Sequence, residues 1–255
     1  MFTVGAFDED RAAAVTTLET LDAVDDDHIH VSDDDLFVPE LDRLIGVYVF
    51  HGYQTTGNPT GCRITSPTLR RDWPLDIAKM NRPDEEPTDS QVAMFPQDPL
   101  PLAAGEALNA LMTNTAITSA RGIVGVFFAD GAIAPIHGLI RTIKCTSTLT
   151  GTADVWSSGP LTLAQDLAVG RYQVVGARCI DPGVWGLFRL IFTGYTWRPG
   201  GVMGHYLRYA EPDIFRKGRL GVWGEFRQDA PPRLEVLAAY AASNPEVYLD
   251  LIRIA

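Results

Sequence analysis

Residues 25–35 read DDDHIHVSDDD, six aspartates and two histidines in eleven positions. Two kinds of chemistry could use them. On an extended chain, His28-Ile29-His30 directs both imidazoles to one side, and such a pair can hold a transition metal. Aspartate carboxylates suit calcium, a hard cation that takes oxygen ligands. An EF-hand loop, however, needs alternating acids, a central glycine and a closing glutamate, and none of that pattern is present. Adjacent aspartates on an extended chain also point to opposite sides, so Asp25, Asp26 and Asp27, like Asp33, Asp34 and Asp35, do not converge on one ion. The stretch reads as a solvated acidic segment, with no metal and no cofactor expected.

The His-x-His pair loosely resembles the first motif of the cupins, which implies a downstream glutamate and a second histidine-bearing motif. Here the glutamate position falls among Asp33–Asp35, and the nearest glutamate is Glu40. RPGGVMGHYLR (198–208) is similar to the second motif, but its His205 is one residue out of register. A cupin-like metal enzyme, with metal at His28 and His30, is the third-ranked reading. The chain has no Walker loop, GxGxxG, GxSxG or HExxH. No catalytic residue is assigned, and the chain is not expected to be an enzyme. TGYTWRPGG and GRLGVWGEFRQ gather Tyr195, Trp197, Arg198, Arg219 and Trp223. Aromatics beside arginines can stack sugars or bases, but the same composition marks cores and protein interfaces, which is the favoured reading.

The charge is localised. Of the 32 acidic and 21 basic residues, twelve acids and one arginine lie in residues 1–40, a net of −11 that equals the charge of the whole chain. The remaining residues are neutral overall. That excludes an acid-covered halophilic surface and argues against general or sequence-specific nucleic-acid binding, which needs a basic excess. Only Lys79, Lys144 and Lys217 are lysine, so the cations are mostly arginine, suited to planar, bidentate contacts. The natural partner of the acidic stretch is an arginine-bearing surface, on the same subunit or a neighbour. Asp25, Asp26, Asp27, Asp33, Asp34, Asp35, Arg198 and Arg219 are therefore the candidate subunit-contact residues. Three cysteines far apart, with no CxxC, read as buried thiols. No apolar run is long enough for a transmembrane helix, and no signal peptide is expected.

The elements that must position these residues are mostly strands. FDEDRAAAVTTLETLDA (7–23) is the exception: acids in the first turn, then alanines and leucines, predict a short N-terminal helix. LIGVYVFHGY (44–53), RGIVGVFFADG (121–131), IHGLIRTIKCTSTLTG (136–151), GRYQVVGARCID (170–181), GLFRLIFTGYTW (186–197) and GVMGHYLRYAE (201–211) are β-branched, aromatic and bounded by Gly, Pro or Asp. Residues 62–80 give two short strands broken by Pro67 and Pro74, and 82–101 a proline-rich loop or extended edge. Residues 100–116 favour a strand with a turn, and 231–254 two strands around SNPE. DPLPLAAGEALNALMTN (98–114) and GPLTLAQDLAVGRYQVV (159–175) share a Pro-Leu-x-Leu-Ala opening. Many short strands without alternating amphipathic helices predict an all-β sandwich or barrel.

The expected organisation is an acidic N-terminal arm over 1–40 and a β-sandwich body over 41–255. The arm, the strands with long loops, the LxLAxGEAL and LAVGRYQVVGA strand openings and the closing PPRLEVLAAY strand together resemble viral jelly-roll capsid proteins. The likeness, of grammar only, extends over 41–255 and includes the compact double jelly-roll coats of tailless icosahedral viruses. It implies jelly-roll sandwiches, one or two, split in the latter case near 150–160. It also implies self-assembly into trimers or larger capsomers with other virion proteins, assembly in a host cytoplasm, and an arm that contacts neighbours or the shell interior. The rival from another class is a β-sandwich carbohydrate- or receptor-binding module.

Overall fold

The apolar runs LIGVYVF and GIVGVFFA leave no polar face, so strands built from them must be covered on both sides. The computed structural model describes residues 1–11, 15–52, 62–68, 73–75, 91–114, 120–181, 185–205, 213–238 and 242–254. It places these runs in a middle sheet between two others. Arg43–Gly52 and Phe2–Arg11 flank Ala120–Ala129 antiparallel, in register from Phe2 opposite Ala129 to Arg11 opposite Ala120. Gln91–Met94 and Leu100–Pro101 pair with Arg43–Gly52, and Asp22–Ala23 pairs with Phe2–Arg11.

One face of this sheet (Phe2, Val4, Tyr48, Phe50, Ile123, Phe127) packs in a core with Leu187, Phe188 and Trp223 of the C-terminal part of the chain. The other face (Phe7, Val47, Val49, Val124, Val126, Phe128) packs with Leu36, Ile64, Leu108 and Met112. Gly125 allows the close approach of the layers, because a Cβ there would lie 2.9 Å from a Leu187 methyl.

The second sheet runs Val31–Ser32, Asp35–Phe37, Ala107–Asn114, Cys62–Thr65, Trp73–Leu75, with Val15–Thr20 also paired to Ala107–Asn114. The third sheet has nine strands, in the order Ser157–Pro160, Arg233–Ala238, Gly186–Ile191, Gly200–His205, Arg171–Asp181, Glu246–Arg253, Arg141–Thr146, Thr162–Leu163. Gly224–Arg227 pairs beside Arg171. Its pair Arg171–Asp181 with Gly200–His205 is parallel. The described residues are thus all-β apart from one 3-10 turn, Asp213–Phe215. Among them, no helix is long and apolar enough to cross a membrane. The three cysteines are buried thiols, and burial pushes those of Cys62 and Cys145 up to about 12.

Three expectations need correction. The helix over 7–23 is instead the end of Phe2–Arg11 followed by Val15–Thr20 and Asp22–Ala23. Burial of Val4 and Phe7 on the two core faces, together with the strand preference of the β-branched Val15-Thr16-Thr17, outweighs the acids and alanines. The acidic segment 1–40 is accordingly not an arm outside a body, since Phe2, Val4, Ala6 and Phe7 are core residues. Pro74 lies inside Trp73–Leu75 rather than breaking it, at an edge of the second sheet where a missing N–H is tolerated. The chain passes to the third sheet between Ala129 and Arg141, and one core spans that passage. The two Pro-Leu-x-Leu-Ala openings each contribute a two-residue strand, Leu100–Pro101 and Thr162–Leu163. Residues 82–90 of the proline-rich segment lie outside the described residues.

Candidate functional site

A charge buried inside an apolar strand must find an opposite charge to pair with. Arg189 interrupts GLFRLI and Glu235 interrupts RLEVLA; the two residues are directly paired neighbours, on Gly186–Ile191 and Arg233–Ala238. Arg189 is 0% exposed and donates through Nε to Glu235 at 3.0 Å and through Nη1 to the Val4 carbonyl at 3.0 Å. Nη1 also donates to Asp26, and the guanidinium carbon sits 3.7 Å above the ring of Trp156. Arg198 joins from the opposite side, bonding Glu235 at 2.8 Å and Asp27 at 2.5 Å. The RPGG segment makes that approach possible, because Gly200 lies so close to the Phe188 carbonyl that a Cβ would stand 2.0 Å from it.

The acidic stretch enters as a bend, not a strand. Asp26 accepts the His28 backbone N–H at 3.1 Å and pairs with His28 Nδ1. The other ring nitrogen, Nε2, is hydrogen-bonded to the Thr3 hydroxyl at 2.8 Å. Burial pulls the Asp26 pKa upward, but the His28 bond and the charge of Arg189 outweigh it and hold the carboxyl below its ordinary range. For Asp27 the Arg198 bond dominates, with the same direction. Three carboxylates, two guanidiniums and one imidazole thus form one network joining the N-terminal bend to the third sheet.

Thr3, His28 and Asp26 have the connectivity of a hydroxyl–imidazole–carboxylate relay. Thr3 is nevertheless 0% exposed, in the first strand of the middle sheet, and its oxygen also accepts the Arg198 N–H at 3.2 Å. A substrate carbonyl has no route to that oxygen. The adjoining cleft of about 470 Å3 is lined instead by carboxylates, guanidiniums, Trp156 and Ser158. Asp26, Asp27 and His28 bring ligand atoms within 4.8 Å of one another, a spacing suited to a metal ion. Arg189 and Arg198 already neutralise those carboxylates, and their charges would oppose a cation.

The His28–His30 metal pair is not formed. The bend turns His28 inward to Thr3, while His30 is exposed and stacks on Phe37 at 4.6 Å between centroids. Among the other candidate contacts, Asp35 accepts from Asn109 at 2.6 Å, and exposed Arg219 lies 3.5 Å from Asp213. Asp25, Asp33 and Asp34 line a second, acidic cleft with Asp8, Asp22 and Asp154. Asp8 there is bonded to Arg121 at 2.7 Å, but burial wins and raises its pKa to about 6. Trp223 belongs to the core, between Phe2 and Phe188, and Tyr195 borders an aromatic hollow.

No family model, curated protein or solved structure matches this chain.

Sequence reasoning paired the acidic stretch with arginine and named Arg198, but missed Arg189, Glu235, Trp156 and Thr3. The available signal was the lone charge within each apolar run. A third such charge, Asp250 in VYLDLI, also finds partners: it is fully buried and accepts from Arg216 Nε at 2.8 Å and from the Lys217 N–H at 2.8 Å.

Proposed function

We propose that this chain is a structural, self-assembling protein of the viral-coat kind, working in a virion as a homo-oligomer of three or more copies. In this reading the stacked antiparallel sheets play the part that jelly-roll sandwiches play in such coats. The observation that carries the proposal is the distribution of exposed apolar side chains. Leu139 is 94% and Val169 76% exposed, with Ile254 beside them. They gather at one end of the third sheet, where Arg141 pairs with Leu251 and Tyr172 with Arg253. Arg141, Arg171 and Arg253 stand at the same strand ends, and Arg227 pairs with Arg171. Arg141 donates to Gln165 and Arg253 to the Val169 carbonyl, neither of which is a carboxylate. Apolar side chains within an arginine-rich rim are what a protein interface uses, and such a surface left open favours association.

The test is the mass of the purified protein by light scattering between 1 and about 100 µM, the range over which weak interfaces saturate, followed by negative-stain imaging. Trimers or larger closed particles are expected. A monomer throughout that range would remove the coat reading, and specific glycan binding by such a monomer would establish the carbohydrate-binding rival.

A further inference from the structure

The loop 152–156 holds an apolar side chain out from the surface. Val155 is 53% exposed, yet both its neighbours are pinned. Asp154 donates its N–H to Asp8 at 3.1 Å and pairs with Arg121, while Trp156 lies under the Arg189 guanidinium. The Thr152 N–H donates to Ser157 Oγ at 3.2 Å and closes the base of the loop. A side chain presented in this way loses little entropy when it is captured. Its surroundings are acidic: Asp8, Asp22, Asp25, Asp33, Asp34 and Asp154 share one cleft, with Arg121 bonded to two of them.

The opposite end of the same strands carries the complement. Ser157 pairs with Val236 and Pro160 with Arg233, so the Val155 loop sits near Ala238, while Arg233 and Ile191 mark the other end, roughly 20 Å away. At that end a hollow of about 320 Å3 is lined by Phe192, Tyr195, Phe226 and Pro232, with Arg171 and Arg227 on its rim. The rings are fixed, Phe192 against Tyr195 at 5.7 Å and Phe226 against Tyr172 at 5.9 Å. The rim arginines are solvent-accessible, Arg171 pairing with Glu225 and Arg227 with Asp229.

We infer that the hollow receives Val155 of a second copy of this chain, with the Asp154 side of the loop facing Arg171 and Arg227. The two faces are different, so the contact is heterologous and propagates from copy to copy, closing into a ring where the rotation allows. Opposite charge guides the faces together and like charge opposes hollow-to-hollow or loop-to-loop pairing. This inference rests on the self-assembly reading and names its surfaces.

The experiment compares the wild-type chain with Val155→Arg and Arg227→Glu by light scattering and sedimentation, with circular dichroism and melting to verify the fold. Both substitutions lie on exposed side chains. Each variant should lose at least tenfold in association constant, and 0.5 M salt should weaken the wild type in the same direction. An equimolar mixture is the decisive arm. The Val155→Arg chain keeps its hollow and the Arg227→Glu chain keeps its loop, so mixing them should restore an association between unlike copies that neither variant shows alone. Folded variants that assemble like the wild type, or a mixture that stays monomeric, would overturn these surfaces while leaving self-assembly standing. A monomeric wild type would overturn the self-assembly reading itself.

Discussion

Replacing Arg189 with Met removes the charge at the centre of the network but keeps an aliphatic side chain in the core. The side chains of Asp26 and Glu235 are only 2% and 7% exposed. Without Arg189, Asp26 keeps His28 and Glu235 keeps Arg198, and the Val4 carbonyl loses a donor. Removing one partner of a buried ion pair costs about 3–5 kcal/mol, because the other charge stays desolvated. For a chain of this size each kcal/mol moves the melting temperature by about 2–4 °C, so a 4 kcal/mol loss predicts a fall of roughly 8–16 °C.

Urea unfolding followed by tryptophan fluorescence measures the effect at equilibrium. Two further results are expected. Adding Asp26→Asn to Arg189→Met should recover about 1–2 kcal/mol by removing the orphaned charge, a non-additivity typical of neighbours in one network. The gap between wild type and Arg189→Met should also narrow in acid. Asp26 is held below its ordinary 3.8, so its contribution is complete above that pH and is lost as pH falls through the folded-state value. A loss under 1 kcal/mol, or a double variant weaker than Arg189→Met alone, would refute the argument.

Tyr48 is fully buried and its hydroxyl has no hydrogen-bond partner among the described residues, so Tyr48→Phe should be neutral or stabilise by about 1 kcal/mol in urea unfolding; a loss above 1 kcal/mol would mean the hydroxyl is satisfied. Asp8 has the opposite sign to Asp26. Its folded pKa of about 6 exceeds the unfolded 3.8, so the folded state holds a proton longer, and stability should drop by about 2 kcal/mol as pH rises from 4 to 6. Asp8→Asn should flatten that slope in a pH series of melts, and an unchanged slope would assign it elsewhere. Deleting residues 1–35 should prevent folding, since burial of Phe2, Val4 and Phe7 alone is worth roughly 5–9 kcal/mol, comparable with the whole stability of a domain; a cooperative melt of the truncated chain would contradict this. Chelator should leave the melting temperature unchanged and micromolar zinc should not raise it, because Arg189 and Arg198 occupy Asp26 and Asp27; a rise of several degrees would reveal a metal centre.

The strands that were legible are those whose composition has a single interpretation. RGIVGVFFADG is Ala120–Ala129, GRYQVVGARCID is Arg171–Asp181, and the SNPE turn sits between strands, with Asn244 in the left-handed region that asparagine tolerates. The first strand was hidden because Asp8, Glu9 and Asp10 imitate a helix start, whereas Asp8 is in fact a partner of Arg121 on the neighbouring strand of the same sheet. At the site, local pattern could show that Asp26 and Asp27 need arginine, but not which one. Arg189 lies far along the chain, and only the stacking of the third sheet on the middle one brings it to them.

The middle sheet also fixes an order of events during synthesis. Its strands are complete once Ala129 has emerged, and the second sheet draws only on residues before it. The N-terminal half can therefore pack its two layers while the third is still being made. Until then Phe2, Val4, Tyr48, Phe50 and Phe127 form a bare apolar wall that only later residues cover. At roughly 5–20 residues per second the exposure lasts on the order of ten seconds. The nascent chain, rather than the finished protein, is the form of this molecule most in need of a chaperone.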